Sequence, residues 1–386
     1  MTLRVITPPA TLGMLGGGQL GRFTLMAARA MGYRTVVLDP DPGAPAGAVA
    51  DEHLVAGYDD VTALDRMAVA CDVVTTEFEN PPALALDRLA GSTPVAPSPR
   101  AVAIAQDRRL EKAFLEDSGF PVAPFQVVDA DSGPTLDPTL DPTVVTVDHP
   151  SVLKTARLGY DGKGQREVGS VTELHAAWAE LGGVPCVLER SLPLEAELSV
   201  VVARTADARV ATYPVAENLH VDGILDLCVV PSWASAPVLD RAVGLGMAIA
   251  DALDYVGVLA VEFFVVNGEL IVNELAPRPH NSGHWTLDAA RTSQFEQQVR
   301  AVCGLGLGAT DLTAPAVAMV NLLGQLWDAG EPDWAVVLDH PRAKLHLYGK
   351  DQPRAGRKMG HLTVVGDSRE EVETEAVRLR SMLSRG

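Results

Sequence analysis

Lysine is scarce in this sequence: only six of its 31 basic residues, Lys112, Lys154, Lys163, Lys344, Lys350 and Lys358, are lysines. With arginine carrying the general surface charge, each lysine stands out as a point charge with a specific task. Positive charge as a whole is also short, with 31 Lys and Arg against 50 Asp and Glu and a formal net charge of -19. That excludes general binding to nucleic acid or to an anionic membrane, which both need a basic surface. An anionic ligand must then find a local basic site. The four cysteines, Cys71, Cys186, Cys228 and Cys303, are scattered without a CxxC pair, which excludes a disulfide framework or short-spaced zinc site and fits a reducing, cytoplasmic setting. No run reaches the ~18–20 apolar residues of a membrane span, and Met1–Pro9 lacks the apolar core of a signal peptide. The expectation is a soluble, cytoplasmic protein. At 386 residues and 47% hydrophobic, it can bury large cores in roughly two to three domains.

The most informative stretch is Val152–Gln165, where an apolar strand carrying Lys154 runs into a loop with Gly159, Gly162 and Gly164. Glycine lets backbone N–H groups approach anionic oxygens and tolerates positive φ. Lys154 and Lys163 add charge, so the loop can close over a phosphate. Alone, it also reads as a glycine-rich surface turn.

Ahead of it, Thr11–Leu15, Gly16–Gly21, a helix to about Gly32 and Arg34–Asp39 read as a βαβ unit with a GxGxxG turn. Asp39 falls close to where a ribose-binding acid of a dinucleotide fold stands. A dehydrogenase reading follows, but the same glycines serve any doubly wound domain whose helix faces another phosphate ligand. A helix around Val61–Ala70 and a strand Cys71–Thr76 continue the alternation. Glu77 and Glu79 then fall at the carboxyl end of a strand, where open α/β sheets gather ligands. Glu79, beside Asn80-Pro81-Pro82, is the stronger candidate, and Glu77 reads equally as a solvated acid. Ser98–Ser118 reads as one helix with Ser98 as cap, Pro99 in its first turn, and Arg108 and Lys112 one turn apart. Between Asp129 and Asp148, Pro, Thr and Asp repeat, which predicts a loop or flexible insertion.

Beyond the glycine loop, a helix near Thr172–Leu181 precedes strands Cys186–Arg190, Glu195–Arg204, Arg209–Tyr213 and Leu225–Val230, then a helix Pro237–Asp254. Consecutive strands predict an α+β region with antiparallel pairing and a boundary near residue 100. Val258–Val266 and Glu269–Glu274 flank Asn267-Gly268, a hairpin signal. Glu262 and Glu274 interrupt apolar strands, where a carboxylate is costly to desolvate unless a cation compensates, so the two predict a shared magnesium ion. Across a strict two-residue turn they would point to opposite faces; an odd loop or a bulge returns them to one face. The odd loop is the expectation. Two acids on the wet face of a sheet are the competing reading.

Leu275–Thr286 follows the second glutamate. Arg278 can grip a carboxylate or phosphate bidentately, and His280 can donate or shuttle a proton, although either His280 or His284 also reads as structural. The last region has strands near Ala316–Leu323, Lys344–Tyr348 and His361–Val365 and a helix Ser368–Met382. Lys350, Arg354, Arg357 and Lys358 make a basic cluster there, either a solvated loop or an anchor for a phosphorylated substrate.

Together, GGGQLGR (16–22), GYDGKGQ (159–165), AVEFF (260–264), VNELAPR (272–278), HNSGHWT (280–286) and GRKMGHL (356–362) resemble the 5-(carboxyamino)imidazole ribonucleotide synthase family of ATP-grasp enzymes in purine biosynthesis. The resemblance implies a mixed α/β and α+β architecture. A Rossmann-like, doubly wound domain would occupy 1–100, an ATP-grasp domain of two α+β subdomains 101–311, and a small β-rich domain 312–386. It implies ATP held by Arg108, Lys154, Gly159, Gly162, Lys163, Gly164, Gln165, Glu189, Arg190, Leu192, Glu197, His220 and Asn273. One or two magnesium ions would sit on Glu262 and Glu274. Aminoimidazole ribonucleotide would lie against Gln19, Glu79, Tyr160, Asp161 and Arg278, with its phosphate near Lys350 and Arg357. Asp161, Arg278 and His280 are the implied catalytic groups, bicarbonate the second substrate, and a homodimer the implied assembly. Pro279, between Arg278 and His280, departs from the family pattern and can alter the local backbone without removing either side chain.

Three readings compete at this point. A sister ligase that activates formate or another small carboxylate would share ATP, magnesium and the ribonucleotide anchor. An NAD-dependent dehydrogenase explains Gly16–Gly21 and Asp39 and nothing downstream. A non-catalytic nucleotide sensor would be expected to lack some of the ligands.

Overall fold

A computed structural model of the chain describes residues 5–78, 80–129, 146–159 and 162–383. Glu79, Tyr160, Asp161 and most of the Pro/Thr/Asp stretch, 130–145, lie outside the described residues. The first sheet forms from strands that are almost solid runs of buried aliphatic residues, β1 (Thr11–Leu15) and β2 (Arg34–Leu38). Between them, α1 (Gln19–Ala30) buries Leu20, Phe23, Leu25 and Ala28, and the crossover leaves the two strands parallel. With β3 (Glu52–Leu54), α2 (Val61–Ala70), β4 (Val73–Thr76) and α3 (Ala83–Ala90) the strand order is β3-β2-β1-β4, all parallel.

The glycine turn after β1 is filled by the protein itself. Gly16 N–H donates to the Leu38 carbonyl and Gly17 N–H to Asp39 Oδ2, while Gly18 and Gly21 N–H donate to the two oxygens of Glu77 at 2.9 and 3.1 Å. A Cβ at Gly18 would stand 2.7 Å from Glu77 Oε1. The glycines therefore make room for a buried carboxylate, and the Gly17, Gly18 and Gly21 N–H groups that a pyrophosphate would use are taken by Asp39 and Glu77. This removes the dehydrogenase reading and corrects two residues: Asp39 is a turn anchor, and Glu77 is buried rather than solvated.

The helix expected over Ser98–Ser118 is two helices, α4 (Pro99–Ala105) and α5 (Arg108–Asp117). Asp107 breaks it: its backbone is extended, and its carboxylate accepts from the Arg109 N–H and pairs with the Arg109 side chain. Such side-chain competition for the backbone favours a cap over a helix interior.

A small antiparallel sheet follows, built from β5 (Phe125–Val128), β6 (Ser151–Thr155), β7 (Gln165–Val168) and, after α6 (Val171–Glu180), β8 (Cys186–Arg190), in the order β5-β8-β6-β7. Among the described residues the third sheet has nine strands. It comprises β9 (Ala196–Arg204), β10 (Val210–Thr212), β11 (Ala216–Val221), β12 (Ile224–Val230), then after α7 (Ala236–Ala252) β13 (Gly257–Val266) and β14 (Glu269–Ala276). After α8 (Thr286–Ala289) and α9 (Gln294–Val302) come β15 (Ala316–Leu323), α10 (Ala335–Leu338), β16 (Ala343–Leu347), β17 (Lys358–Gly366) and α11 (Arg369–Leu383). The order is β14-β13-β9-β11-β12-β15-β17-β16, with β10 on β9. The C-terminal strands thus extend the same sheet through β12 and β15 and form no sheet of their own.

Both faces of this sheet are covered. Leu198, Val200 and Val202 of β9 pack with Leu259, Val261 and Phe263 beneath α7, while Val201 and Ala203 face Val258, Ala260 and Trp285. This two-sided burial explains why β9 and β13 read as unbroken hydrophobic runs. Truncating Phe263 to alanine would cost about 3–5 kcal/mol.

Candidate active site

β13 and β14 meet at Asn267-Gly268, both at positive φ (50° and 74°), with Val266 opposite Glu269. The turn has two residues, so the expected odd loop is absent. The register shifts instead within β14: Phe263 pairs with Val272 and Glu262 with Glu274, leaving Asn273 as the extra residue of a bulge. Directly opposed residues share a face, so both glutamates point the same way.

Glu262 is buried, and its Oε1 and the Asn273 Oδ1 are both buried without a hydrogen-bond partner. Burial, with Glu274 beside it, pushes the Glu262 carboxyl up to about 7. Burial acts on Glu274 in the same sense, but Arg108, Lys154 and Arg278 outweigh it and hold that carboxyl below its usual range. Its Oε2 accepts from Arg108 at 3.1 Å. Two opposed carboxylates, with the orphaned Glu262 Oε1 and Asn273 Oδ1 beside them, form an all-oxygen set that suits magnesium.

Facing them, the small sheet presents Lys154, whose Nζ lies 3.0 Å from Glu189 Oε2; fully buried Lys112 approaches the same oxygen at 3.5 Å. Burial opposes the Glu189 charge, yet Lys154, Lys112 and Arg108 bring its carboxyl down to about 2. Burial lowers the Lys154 ammonium from its ordinary value, and Arg108 and Lys112 add to that against Glu189. The glycine loop after β6 leans on the tip of the β11–β12 hairpin: a Cβ on Gly162 would meet the Asp222 carbonyl oxygen at 2.7 Å, and Gly223 abuts Gly162. Gly164 clears Thr155 instead, where a Cβ would lie 2.5 Å from Oγ1.

Glu197 Oε2 and His220 Nδ1 pair at 2.9 Å across β9 and β11. Burial works against the imidazolium, but Glu197 and Glu262 raise the His220 pKa. His280 takes the opposite course, driven well below its ordinary value by burial and by Arg278 and Lys358. Its Nδ1 lies 2.9 Å from Ser282 Oγ and 3.7 Å from Glu262 Oε1.

These groups line one cleft of about 920 Å³. Of the residues named from the sequence, Gln19, Arg108, Lys154, Gly159, Gly162, Lys163, Gln165, Glu197, His220, Glu262, Asn273, Glu274, Arg278 and His280 face it. Others do not line it. Glu189 sits beneath Lys154, Gly164 is a crossing point of the loop, Arg190 ends β8 on the exposed side, and Leu192 is half-buried beyond it. Lys350 donates to the Lys358 carbonyl and sits 5.4 Å over the Tyr348 ring, while Arg357 donates to the Gln352 carbonyl, so this pair stands beside the cleft and Lys358 lines it.

Residues 9–106 match the ribonucleotide synthetase preATP-grasp domain family, 113–295 the ATP-grasp domain family, and 317–375 the phosphoribosylaminoimidazole carboxylase C-terminal domain family. The N5-carboxyaminoimidazole ribonucleotide synthase of Brucella melitensis is 46% identical over 361 residues, covering 93% of this chain and 97% of that protein. The chain belongs to the N5-carboxyaminoimidazole ribonucleotide synthase family, and its fold is the ATP-grasp fold. A crystal structure of a synthetase of that name as its ADP complex matches with a TM-score of 0.89 at 40% identity, covering 98% of each chain. One from Aspergillus clavatus, in complex with ADP and 5-aminoimidazole ribonucleotide, matches at 0.85 and 28% identity over 98% of this chain and 99% of that one.

In this member of the synthase family several cleft residues were not singled out from the sequence: Tyr58, Phe78, Asn80, Leu194 and Phe264. Phe264 had a usable signal, since two residues from Glu262 on one strand means the same face. Tyr58 had none, because its place depends on donating to Asp39 Oδ2 from another strand connection.

Proposed function

We propose that this cleft carboxylates the exocyclic amine of 5-aminoimidazole ribonucleotide with bicarbonate and ATP, by way of carboxyphosphate. The products are 5-(carboxyamino)imidazole ribonucleotide, ADP and phosphate, in purine biosynthesis. The observation that carries the reading is the opposed pair Glu262 and Glu274 across one cleft from Lys154 and the glycine loop.

Bicarbonate is a poor electrophile because it is anionic and hydroxide leaves badly. Phosphorylation of its oxygen by the γ-phosphate replaces that leaving group with phosphate. Glu262 and Glu274, with Asn273 beside them, would hold magnesium, which when bound would neutralise phosphate oxygens. Lys154 exchanges its Glu189 contact for a phosphate oxygen, and Lys112 remains as the counter-ion of Glu189. Arg108, Lys163 and the N–H groups around Gly159–Gln165 hold the other phosphates. Glu197 with His220 binds the ribose hydroxyls. Arg278 stabilises the charge passing between phosphate oxygens, and His280, kept neutral by its surroundings, offers a hydrogen bond beside it. Carboxyphosphate then breaks its C–O bond to give carbon dioxide and phosphate. The amine attacks the carbon and gives up a proton, for which Asp161 is the assigned acceptor. The ribonucleotide rests on Gln19, Glu79 and Tyr160, its phosphate on Lys350 and Arg357.

A homodimer and a cytoplasmic setting accompany this reading by resemblance, and sedimentation at micromolar concentration tests the first. ATP turnover measured with aminoimidazole ribonucleotide, with and without bicarbonate, tests the whole: phosphate release and carbamate must both require bicarbonate. Release that responds to formate instead would replace the reading with the sister ligase. Asp161→Asn should keep nucleotide binding and lose most carboxylation; unimpaired carboxylation would exclude Asp161 as the base.

A further inference from the structure

The edge of β14 that faces away from β13 is gripped at four consecutive residues by the segment Arg108–Pro121. Val272 N–H donates to the Pro121 carbonyl at 2.8 Å, and the Asn273 carbonyl accepts from Lys112 Nζ at 2.9 Å. Glu274 Oε2 accepts from Arg108, and Leu275 N–H donates to Glu111 Oε1 at 2.5 Å. Glu111 and Lys112 are 1% and 0% exposed, an unusual place for ionisable side chains.

The spacing of these contacts carries information. In a regular strand the N–H groups pointing to one side belong to every second residue. Here the two that point away from β13, to the Pro121 carbonyl and to Glu111, belong to Val272 and Leu275, three apart. The Pro121 carbonyl and the Glu111 carboxylate therefore fit β14 only in its bulged register. In the unbulged register Leu275 N–H would turn towards β13, Glu262 would face Asn273, and Glu274 would fall on the other face of the sheet.

We propose that Glu111 and Lys112 are positioning residues for the metal carboxylates: by holding the backbone on either side of Glu274 they fix the bulge that brings Glu274 opposite Glu262. They touch no substrate in this role. The inference rests on Glu262 and Glu274 being the magnesium ligands.

The test uses the full-length protein and Mn²⁺ as probe, with bound metal read by electron paramagnetic resonance and ADP affinity measured separately without metal. Glu111→Met and Lys112→Gln should weaken Mn²⁺ binding about tenfold or more, in the range found for groups behind metal ligands. In Glu111→Met, metal-free ADP binding should stay unchanged, a split that general loosening of the fold would not produce. Glu111→Gln keeps an oxygen acceptor and should restore near wild-type Mn²⁺ affinity. Either variant that unfolds cooperatively decides alone. In the wild type, the Leu275 amide should exchange slowly with deuterium in the absence of metal, and fast exchange would overturn the inference without any variant. Wild-type Mn²⁺ affinity in folded Glu111→Met and Lys112→Gln, beside its loss in Glu274→Gln, would overturn the positioning role alone. Unchanged affinity in Glu274→Gln would overturn the metal reading and this inference with it.

Discussion

Glu262 and Glu274 stand directly opposite each other on β13 and β14, and Glu274 accepts from Arg108 at 3.1 Å whereas Glu262 Oε1 is buried without a hydrogen-bond partner. The pair is therefore electrostatically lopsided before any metal binds. One carboxyl sits near 7 and the other below its usual range.

Opposite signs of stability change should follow for the two amide variants in metal-free protein. The Glu262 pKa is raised on folding, so its stabilising contribution is complete below about 4.5 and is lost as pH rises through about 7. At pH 8 Glu262→Gln should raise the melting temperature, whereas Glu274→Gln should lower it by taking the carboxylate partner from half-buried Arg108. Both should lose roughly 10²-fold or more in carboxylation. Thermal scans with and without magnesium check the signs; equal destabilisation by both variants would refute the asymmetry.

Glu189 should behave as an acid-side group. Its folded pKa of about 2 lies below the unfolded value, so its contribution is present above about 4.5 and disappears as pH falls towards 2. Glu189→Gln should cost on the order of 3 kcal/mol at pH 6 and less at pH 3.5. Urea unfolding at the two pH values measures the gap, and a gap that does not narrow would count against the three-cation account.

Gly162→Ala places a methyl group against the Asp222 carbonyl and fixes an L residue at φ +74. Backbone cannot yield as a side chain does, and the conformation alone costs roughly 1–2 kcal/mol. The KM for ATP should rise several-fold with little change in melting temperature, because the strain falls on the loop. An unchanged KM would mean that the loop does not need its contact with the hairpin tip.

Glu77→Ala should destabilise the first domain by about 1–3 kcal/mol, since Gly18 and Gly21 lose their acceptor in a buried site. Titration calorimetry of the wild type with NAD should give no heat of binding. Micromolar NAD affinity would contradict the self-filled turn.

The sequence made the local elements legible and the long-range ones less so. β15, at Ala316–Leu323, and β8, at Cys186–Arg190, were readable to the residue because apolar runs end at clear polar or proline boundaries. The acid pair was legible from two glutamates in apolar strands, and the Asn-Gly turn from its own chemistry. The sequence allows an odd loop or a bulge and favours neither locally, since the contacts that accompany the bulge come from α5, more than 150 residues away. β5 and β11 went unread: Phe125–Val128 is only partly buried, and Ala216–Val221 alternates weakly until β9 and β12 flank it. Glu77 misled because a carboxylate satisfied by glycine N–H groups has no sequence signature apart from the glycines themselves.

The continuous sheet has a mechanical meaning. Glu197, His220, Glu262, Glu274 and Lys358 all belong to strands of one hydrogen-bonded lattice, whereas Lys154 and the glycine loop belong to another. Within a lattice, separations are set by strand spacing of about 4.8 Å and do not drift. The geometry among Glu262, Glu274, Glu197, His220 and Lys358 is thus a stiff coordinate, set apart from that of Lys154 and the glycine loop on the other sheet. The connection between β16 and β17, which lies outside that lattice, can vary in length and charge without moving the five side chains the strands hold.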